Sequence, residues 1–160
     1  MIFKPKNAHQ EGLFKTIFEV GLLNLLIGAA ALTIAILLEI PPLPINKSTA
    51  FYVFLILIII YAGILIWSTF SLISAKKKNQ LARKGLYSLC RHPMYVGIVL
   101  LVNPALAILL RSWTLLEACL ILYFIWKYFA KKEEKELIEA FGDEYKKYSK
   151  KVGCLFPKIC

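Results

Sequence analysis

Four blocks of apolar residues, divided by short polar or proline-bearing breaks, organise this chain. Val20 to Leu38, Ala50 to Ile73 and Met94 to Leu110 contain no charged residue, and Ser112 to Trp126 contains only Glu117. At 1.5 Å of rise per helical residue, these runs approach or exceed the ~30 Å hydrocarbon core of a bilayer once tilt and aromatic or cationic ends are allowed for. The pattern predicts an all-α, polytopic integral membrane bundle of about four transmembrane helices. It forms one membrane domain over 1–160, with the N-terminal segment and first two spans in 1–75 and a second half in 76–160. The first run continues unbroken past Ala29-Ala30-Ala31 to Leu38, which favours a retained helix over a cleaved signal peptide.

The breaks are as informative as the runs. Pro41-Pro42-Leu43-Pro44 cannot continue a helix and predicts a short, stiff outer loop. Asn103-Pro104 sits near the middle of the third run, where proline removes a backbone hydrogen bond and predicts a kink. Arg111-Ser112 leaves room for little more than a turn, so the third and fourth helices should form a tight antiparallel hairpin. Gly21, Gly28 and Ala29 to Ala31 are small residues that let helices approach closely in lipid. Asn24, the strong polar group of the first span, reads as an interhelical hydrogen bond, and Glu117 as an interfacial acid one turn from Trp113.

Beyond the last run, Lys131 to Gly142 reads as a C-terminal amphipathic cytoplasmic helix ended by a glycine cap. Leu137, Ile138, Ala140 and Phe141 define one face, Lys135, Glu136 and Glu139 the other, and Glu133 and Glu134 fall beside the apolar set. An acid in that position needs a partner. A cationic ligand, ribose hydroxyls, or a salt bridge to Arg91 or a lysine would each serve.

Composition agrees with the pattern. Of 160 residues 59% are hydrophobic, with a mean hydropathy of +0.64, against roughly 45–50% apolar residues in soluble domains. The net charge of +10 therefore points to anionic lipid headgroups rather than nucleic acid. Of the 20 Lys and Arg residues, only Lys47 and Arg111 fall outside the N-terminal segment, the 74–93 loop and the region after Trp126. The positive-inside rule then places both termini and the middle loop in the cytoplasm, the membrane being the plasma membrane if the source is prokaryotic. Cys90, Cys119, Cys154 and Cys160 show no CxxC spacing and no paired histidine, so free thiols and no metal are expected.

Chemistry concentrates at Gly85-Leu86-Tyr87-Ser88-Leu89-Cys90-Arg91-His92-Pro93-Met94-Tyr95-Val96-Gly97, where the basic loop enters the third span. Pro93 is a helix-start signal, and Arg91 and His92 at a helix N-terminus suit an anionic group such as a carboxylate or phosphate. Arg91 snorkelling to lipid phosphate, with Tyr87 and Tyr95 in an aromatic belt, fits the same residues.

Together these stretches resemble the membrane methyltransferase superfamily of isoprenylcysteine carboxyl methyltransferases and phospholipid N-methyltransferases. The resemblance rests on G-x-Y at Gly85 and Tyr87, R-H-P-x-Y-x-G from Arg91 to Gly97, E-E-x-x-L-x-x-x-F-G from Glu133 to Gly142, Y-x-x-Y at Tyr145 and Tyr148, and Val152 followed by Pro157. It covers roughly 79–157. It implies a pocket for S-adenosylmethionine between the cytoplasmic ends of the last two spans and the C-terminal helix, and an acceptor that is lipophilic or lipid-linked. Cofactor contacts would come from Leu81, Tyr87, His92, Pro93, Met94, Tyr95, Gly97 and Glu133, with Glu134 as second choice, and the catalytic group would be Arg91, His92 and Tyr95.

Two departures bear on the acceptor. Asn79-Gln80-Leu81 stands where the isoprenylcysteine enzymes resemble H-x-L, and Phe129 stands where they carry an arginine one turn before the glutamate. Lys127, Lys131 or Lys132 lacks the bidentate fork of that arginine. Phospholipid amine methylation, and a non-enzymatic scaffold that kept the fold, therefore stand beside carboxyl methylation as expectations.

Overall fold

The computed structural model describes residues 6–78 and 80–156, with side chains from Phe18 onward apart from Lys76. Two long helices open the chain, α1 (Lys6–Leu37) and α2 (Lys47–Lys77). A 3-10 turn at Gly85–Ser88 leads to the short helix α3 (Pro93–Gly97), a π-turn at Ile98–Val102 and α4 (Asn103–Leu109). The 29-residue α5 (Trp113–Phe141) and the polar α6 (Asp143–Lys151) complete it. The described residues are all-helical and form no strand, apart from an isolated parallel bridge between Cys90 and Gly153.

Three helices are long and apolar enough to cross a membrane, at Phe18–Leu37, Lys47–Ala75 and Trp113–Phe141, while Pro93–Leu109 is a shorter apolar helix. Where the sequence reading has about four spans, the described residues hold three such helices and one shorter apolar helix. Leu25, Ile59, Trp67, Phe70, Leu120 and Phe124 are well exposed on the outer faces. So much exposed apolar surface belongs in lipid rather than water, and the chain is a multi-pass membrane protein.

The interior is built by α1 and α4 packing on α5, and by α2 packing on α3 and α4. The inner core gathers Val20 of α1, Tyr95, Val99, Leu122, Trp126, Ala130 and Leu155. The Asn103-Pro104 irregularity is a π-turn over Ile98–Val102 immediately before the proline. That widened turn absorbs the missing proline N–H without breaking the rod. Small residues in the first span serve unevenly: Ala31 is buried and its carbonyl accepts from Thr114 Oγ1 at 2.8 Å, whereas among the described residues nothing lies within 4 Å of the Cβ position of Gly21.

The close approach falls instead at Gly97, where a Cβ would sit 2.5 Å from Cδ2 of Tyr61, so α3 and α2 meet without a side chain between them. At the opposite end of the bundle from α6, the predicted turn is present at Arg111-Ser112. Ser112 caps α5 by accepting from Leu115 N, and the Arg111 guanidinium donates to the Leu43 carbonyl at 3.1 and 3.2 Å. That carbonyl belongs to the proline loop, so this loop and the Arg111-Ser112 turn are tied together.

Lys131 to Gly142, expected as a separate amphipathic helix, continues α5 without a break as far as Gly142 (φ 57). Leu137 and Phe141 pack inward on Leu81, Tyr145, Tyr148 and Val152. Ile138 and Ala140, expected on the same face, are exposed. The direction of burial is set by α6 folding back, which Lys131 to Gly142 alone does not encode.

Candidate functional site

The site is assembled where α3 begins, against the C-terminal half of α5. Gly85 (φ 64) starts the turn that leads into it. A Cβ there would lie 2.9 Å from Trp67 Nε1, so both the left-handed backbone and the contact with α2 require glycine. The turn is held from outside by the buried Tyr148 hydroxyl, which donates to the Tyr87 carbonyl at 2.5 Å. The start of α3 is then pinned by the tail of the chain: Arg91 N donates to Gly153 O at 2.9 Å and His92 N to Cys154 O at 3.2 Å. Residues 153–154 thus act as a clasp over the Arg91-His92 backbone.

Two acids one residue apart on α5 reach this clasp and divide its partners between them. Glu133 Oε2 accepts from the Tyr95 hydroxyl at 2.8 Å and lies 3.4 Å from His92 Nδ1. Glu134 Oε1 lies 2.9 Å from Arg91 Nη2, as an ion pair, and 3.4 Å from His92 Nε2. His92 stacks on Tyr95 with ring centroids 5.2 Å apart and planes 9° from parallel, and Tyr95 packs on Trp126 at 4.9 Å. The side chains of Arg91, His92, Glu133 and Glu134 are 12%, 5%, 13% and 15% exposed, so the charges face one another rather than water. Arg91 also donates from Nη1 to Ser149 O at 3.4 Å, while among the described residues its buried Nε and the buried Tyr145 hydroxyl have no hydrogen-bond partner.

These contacts set the protonation of the cluster. Burial of His92 works against its charged form, but hydrogen bonds and charge from Glu133 and Glu134 outweigh it and raise its pKa above the ordinary histidine value. Burial, with help from the neighbouring Glu134 carboxylate, pushes the Cys154 thiol up to about 11, so it is a thiol and not a thiolate at neutral pH. Burial likewise raises Tyr87, Tyr145 and Tyr148, which keeps their hydroxyls protonated as donors.

The sequence-predicted residues separate into groups. Arg91, His92, Tyr95, Glu133 and Glu134 converge directly, and the buried Tyr87 and Pro93 with the half-buried Met94 form the adjoining wall. Leu81 is buried with Tyr145 and Tyr148 under α6, and Gly97 faces Tyr61 of α2, so neither lies in the cluster. Glu134 takes the salt bridge to Arg91, one of the alternatives left open, and Glu133 accepts from the Tyr95 hydroxyl, a partner the sequence reading did not name.

Residues missed as site residues include Trp126, Ser149 and Cys154. The spacing of Cys154 carries no signal, yet folding brings His92, Glu134 and Cys154 ligand atoms within 4.8 Å of one another. That is a donor set of metal-binding type, although the Arg91 guanidinium lies against the same Glu134 oxygen at 2.9 Å. Tyr145 and Tyr148 were visible as Y-x-x-Y, but nothing in that spacing shows that Tyr148 bonds the Tyr87 carbonyl.

Comparison with known proteins places these residues in a family context. Residues 48–144 match the profile of a family described as phospholipid methyltransferase. The chain is 34% identical over 101 residues to the protein-S-isoprenylcysteine O-methyltransferase of Saccharomyces cerevisiae, covering 55% of this chain and 38% of that one. It is 35% identical over 97 residues to the protein of the same name from Schizosaccharomyces pombe, covering 57% and 40%. It is also 34% identical over 76 residues to the methanethiol S-methyltransferase of Pseudomonas deceptionensis, covering 46% and 27%. The chain thus spans 40% or less of the length of these curated relatives. With the match covering nearly all of α2 to α5 and the two acids of the site, the chain belongs to the phospholipid methyltransferase family.

Proposed function

We propose that this protein is an integral membrane methyltransferase that takes the methyl group of S-adenosylmethionine and places it on a lipophilic or lipid-linked acceptor. The observation that carries the reading is the convergence of Arg91, His92 and Tyr95 with Glu133 and Glu134 in one buried cluster at the end of the bundle. The donor set fits such a molecule, which carries a carboxylate, an ammonium and ribose hydroxyls. Arg91, with its unpartnered buried Nε, suits the carboxylate. Glu133 and Glu134 suit the ammonium or the hydroxyls, and Tyr87, Pro93, Met94 and Tyr95 supply wall. When bound, the donor supplies a methyl group activated on a sulfonium.

What remains for the chain is to orient the acceptor and keep water out. His92 is held between the two carboxylates, 3.4 Å from each. An acceptor arriving as a carboxylate or thiolate needs no proton removed, whereas an amine must arrive neutral or lose a proton to a group of the cluster. An open groove of about 460 Å³, lined by Leu23, Ile121, Phe124, Ile125, Tyr128 and Phe129, ends one turn before Glu133 and suits an apolar tail. Lys132 Nζ lies 5.9 Å from the centre of the Phe129 ring, so a cation stands beside the end of that groove. The family description favours phospholipid amines as the second reading. Incubating membranes that contain the protein with labelled methyl donor separates the readings: label in base-labile methyl esters or thioethers supports the first, label in phospholipid amines the second, and no transfer a scaffold.

The same reading gives four membrane crossings, with Pro93–Leu109 as the short third at roughly 25 Å, which the bilayer meets by local thinning. Both termini and the 74–93 loop face the cytoplasm, where the cations lie. Residues 131–141 of α5 then project past the membrane as the cytoplasmic wall of the site. Labelling of Cys substitutions at Lys78 and Lys150 from inside and not outside the cell is the expected outcome; labelling from outside contradicts the topology.

A further inference from the structure

A second buried polar group lies deeper in the bundle, and its members connect to the site through ring contacts. Asn24 of α1 and Asn103 of α4 face each other as a reciprocal amide pair, Asn24 Nδ2 donating to Asn103 Oδ1 at 3.1 Å and Asn103 Nδ2 to Asn24 Oδ1 at 3.3 Å. The indole N–H of Trp126, a residue 2% exposed, donates to the same Asn24 oxygen at 3.1 Å. An indole N–H only donates, so the Asn24 amide has one orientation that serves both neighbours. Among apolar helices each of these groups would be costly without its partners.

Trp126 in turn packs on Tyr95 at 4.9 Å, and Tyr95 both stacks on His92 and bonds Glu133. An unbroken run of contacts thus leads from the first membrane helix to both sides of the cluster. Asn24 lies outside the 48–144 match, so this contribution comes from a part of the chain to which the family profile assigns nothing.

We propose that Asn24 is a positioning residue for the donor pocket: by fixing the Trp126 indole it sets the ring against which Tyr95 is held between His92 and Glu133. The inference rests on the donor pocket proposed above. Asn24→Leu keeps the bulk and removes both the pairing and the acceptor for Trp126. Asn24→Asp, neutral in an apolar interior, keeps an acceptor for Trp126 and a donor for Asn103.

The test is a double-mutant cycle on the dissociation constant of S-adenosylhomocysteine, measured by calorimetry on purified full-length protein. Asn24→Leu should weaken binding by about 5- to 10-fold, within the range of coupled contacts in one network. Asn24→Asp should restore it to within about twofold of the natural protein. The Asn24→Leu effect should vanish in a Tyr95→Phe background, because Tyr95 then no longer holds Glu133. A general packing role predicts the same loss in both backgrounds, and that result, or unchanged binding by Asn24→Leu, overturns the proposal. If Asn24→Leu does not fold, Trp126→Phe, which keeps a ring and deletes the N–H, takes its place in the same cycle: a loss confined to the Tyr95 background supports the proposal, and an equal loss in both, or none, overturns it. No heat with the natural protein overturns the pocket and this inference together; binding by the natural protein with additive effects overturns this inference alone.

Discussion

Substitution of Glu134 by Gln keeps the side-chain size and deletes one charge from the cluster. Arg91, 2.9 Å away, is then left without its anion, and His92 keeps only Glu133. Removing one partner of a buried ion pair costs roughly 3–5 kcal/mol, because the other charge stays desolvated. The two side chains are 12% and 15% exposed, which places the loss at the lower end, about 3 kcal/mol. At ~2–4 °C per kcal/mol for a chain of this size, thermal unfolding in a fixed detergent at neutral pH should fall by roughly 6–12 °C. The double variant Arg91→Met, Glu134→Gln removes both charges and should recover at least about 2 kcal/mol relative to the sum of the single losses. A shift below about 2 °C for Glu134→Gln, or strictly additive losses, would mean that the pair is solvated and the enclosed cluster does not exist.

Other consequences follow from single contacts. Because His92 has a raised pKa in the folded chain, its contribution to stability is complete below about pH 6.5 and is lost as pH rises through the folded value. Thermal unfolding against pH should show that decline in the natural protein and a flatter profile in His92→Gln, and equal slopes would refute it. Tyr148→Phe loses the 2.5 Å bond to the Tyr87 carbonyl, costing about 1 kcal/mol and speeding amide exchange at Leu89 and Cys90; unchanged exchange there would show that the turn holds itself. Gly97→Ala forces a Cβ to within 2.5 Å of the Tyr61 ring and should destabilise by ~1–3 kcal/mol, with Tyr61→Leu recovering most of it in the double variant; no recovery would place the clash elsewhere.

The apolar runs made the crossing segments legible because lipid demands length and uniform hydrophobicity, and both are properties of contiguous sequence. Gly142 and the Arg111-Ser112 turn were legible for the same local reason. The π-turn at Ile98–Val102 was readable only as a kink at Pro104, since the proline states that a bond is missing and not how the helix accommodates it.

The site divides along the same line. Arg91 to Tyr95 and the two acids stood out as polar groups at the margin of apolar segments, but the division of labour between Glu133 and Glu134 depends on the rotation of α5. The clasp of 153–154 over Arg91 and His92, and the bond between Trp126 and Asn24, join residues about sixty to one hundred positions apart. No periodicity reports contacts at that separation. Ile138 and Ala140 mislead for a related reason, since a helical wheel shows that a face exists without showing which part of it the next helix covers.

The proposed function requires the end of α5 and the start of α3 to enclose one site for the methyl donor. Calorimetric titration of the purified protein with S-adenosylhomocysteine tests it most directly. One saturable site is expected, weakened at least tenfold by Glu133→Ala and by His92→Ala while both variants remain folded. Binding at natural strength in both folded variants would contradict it.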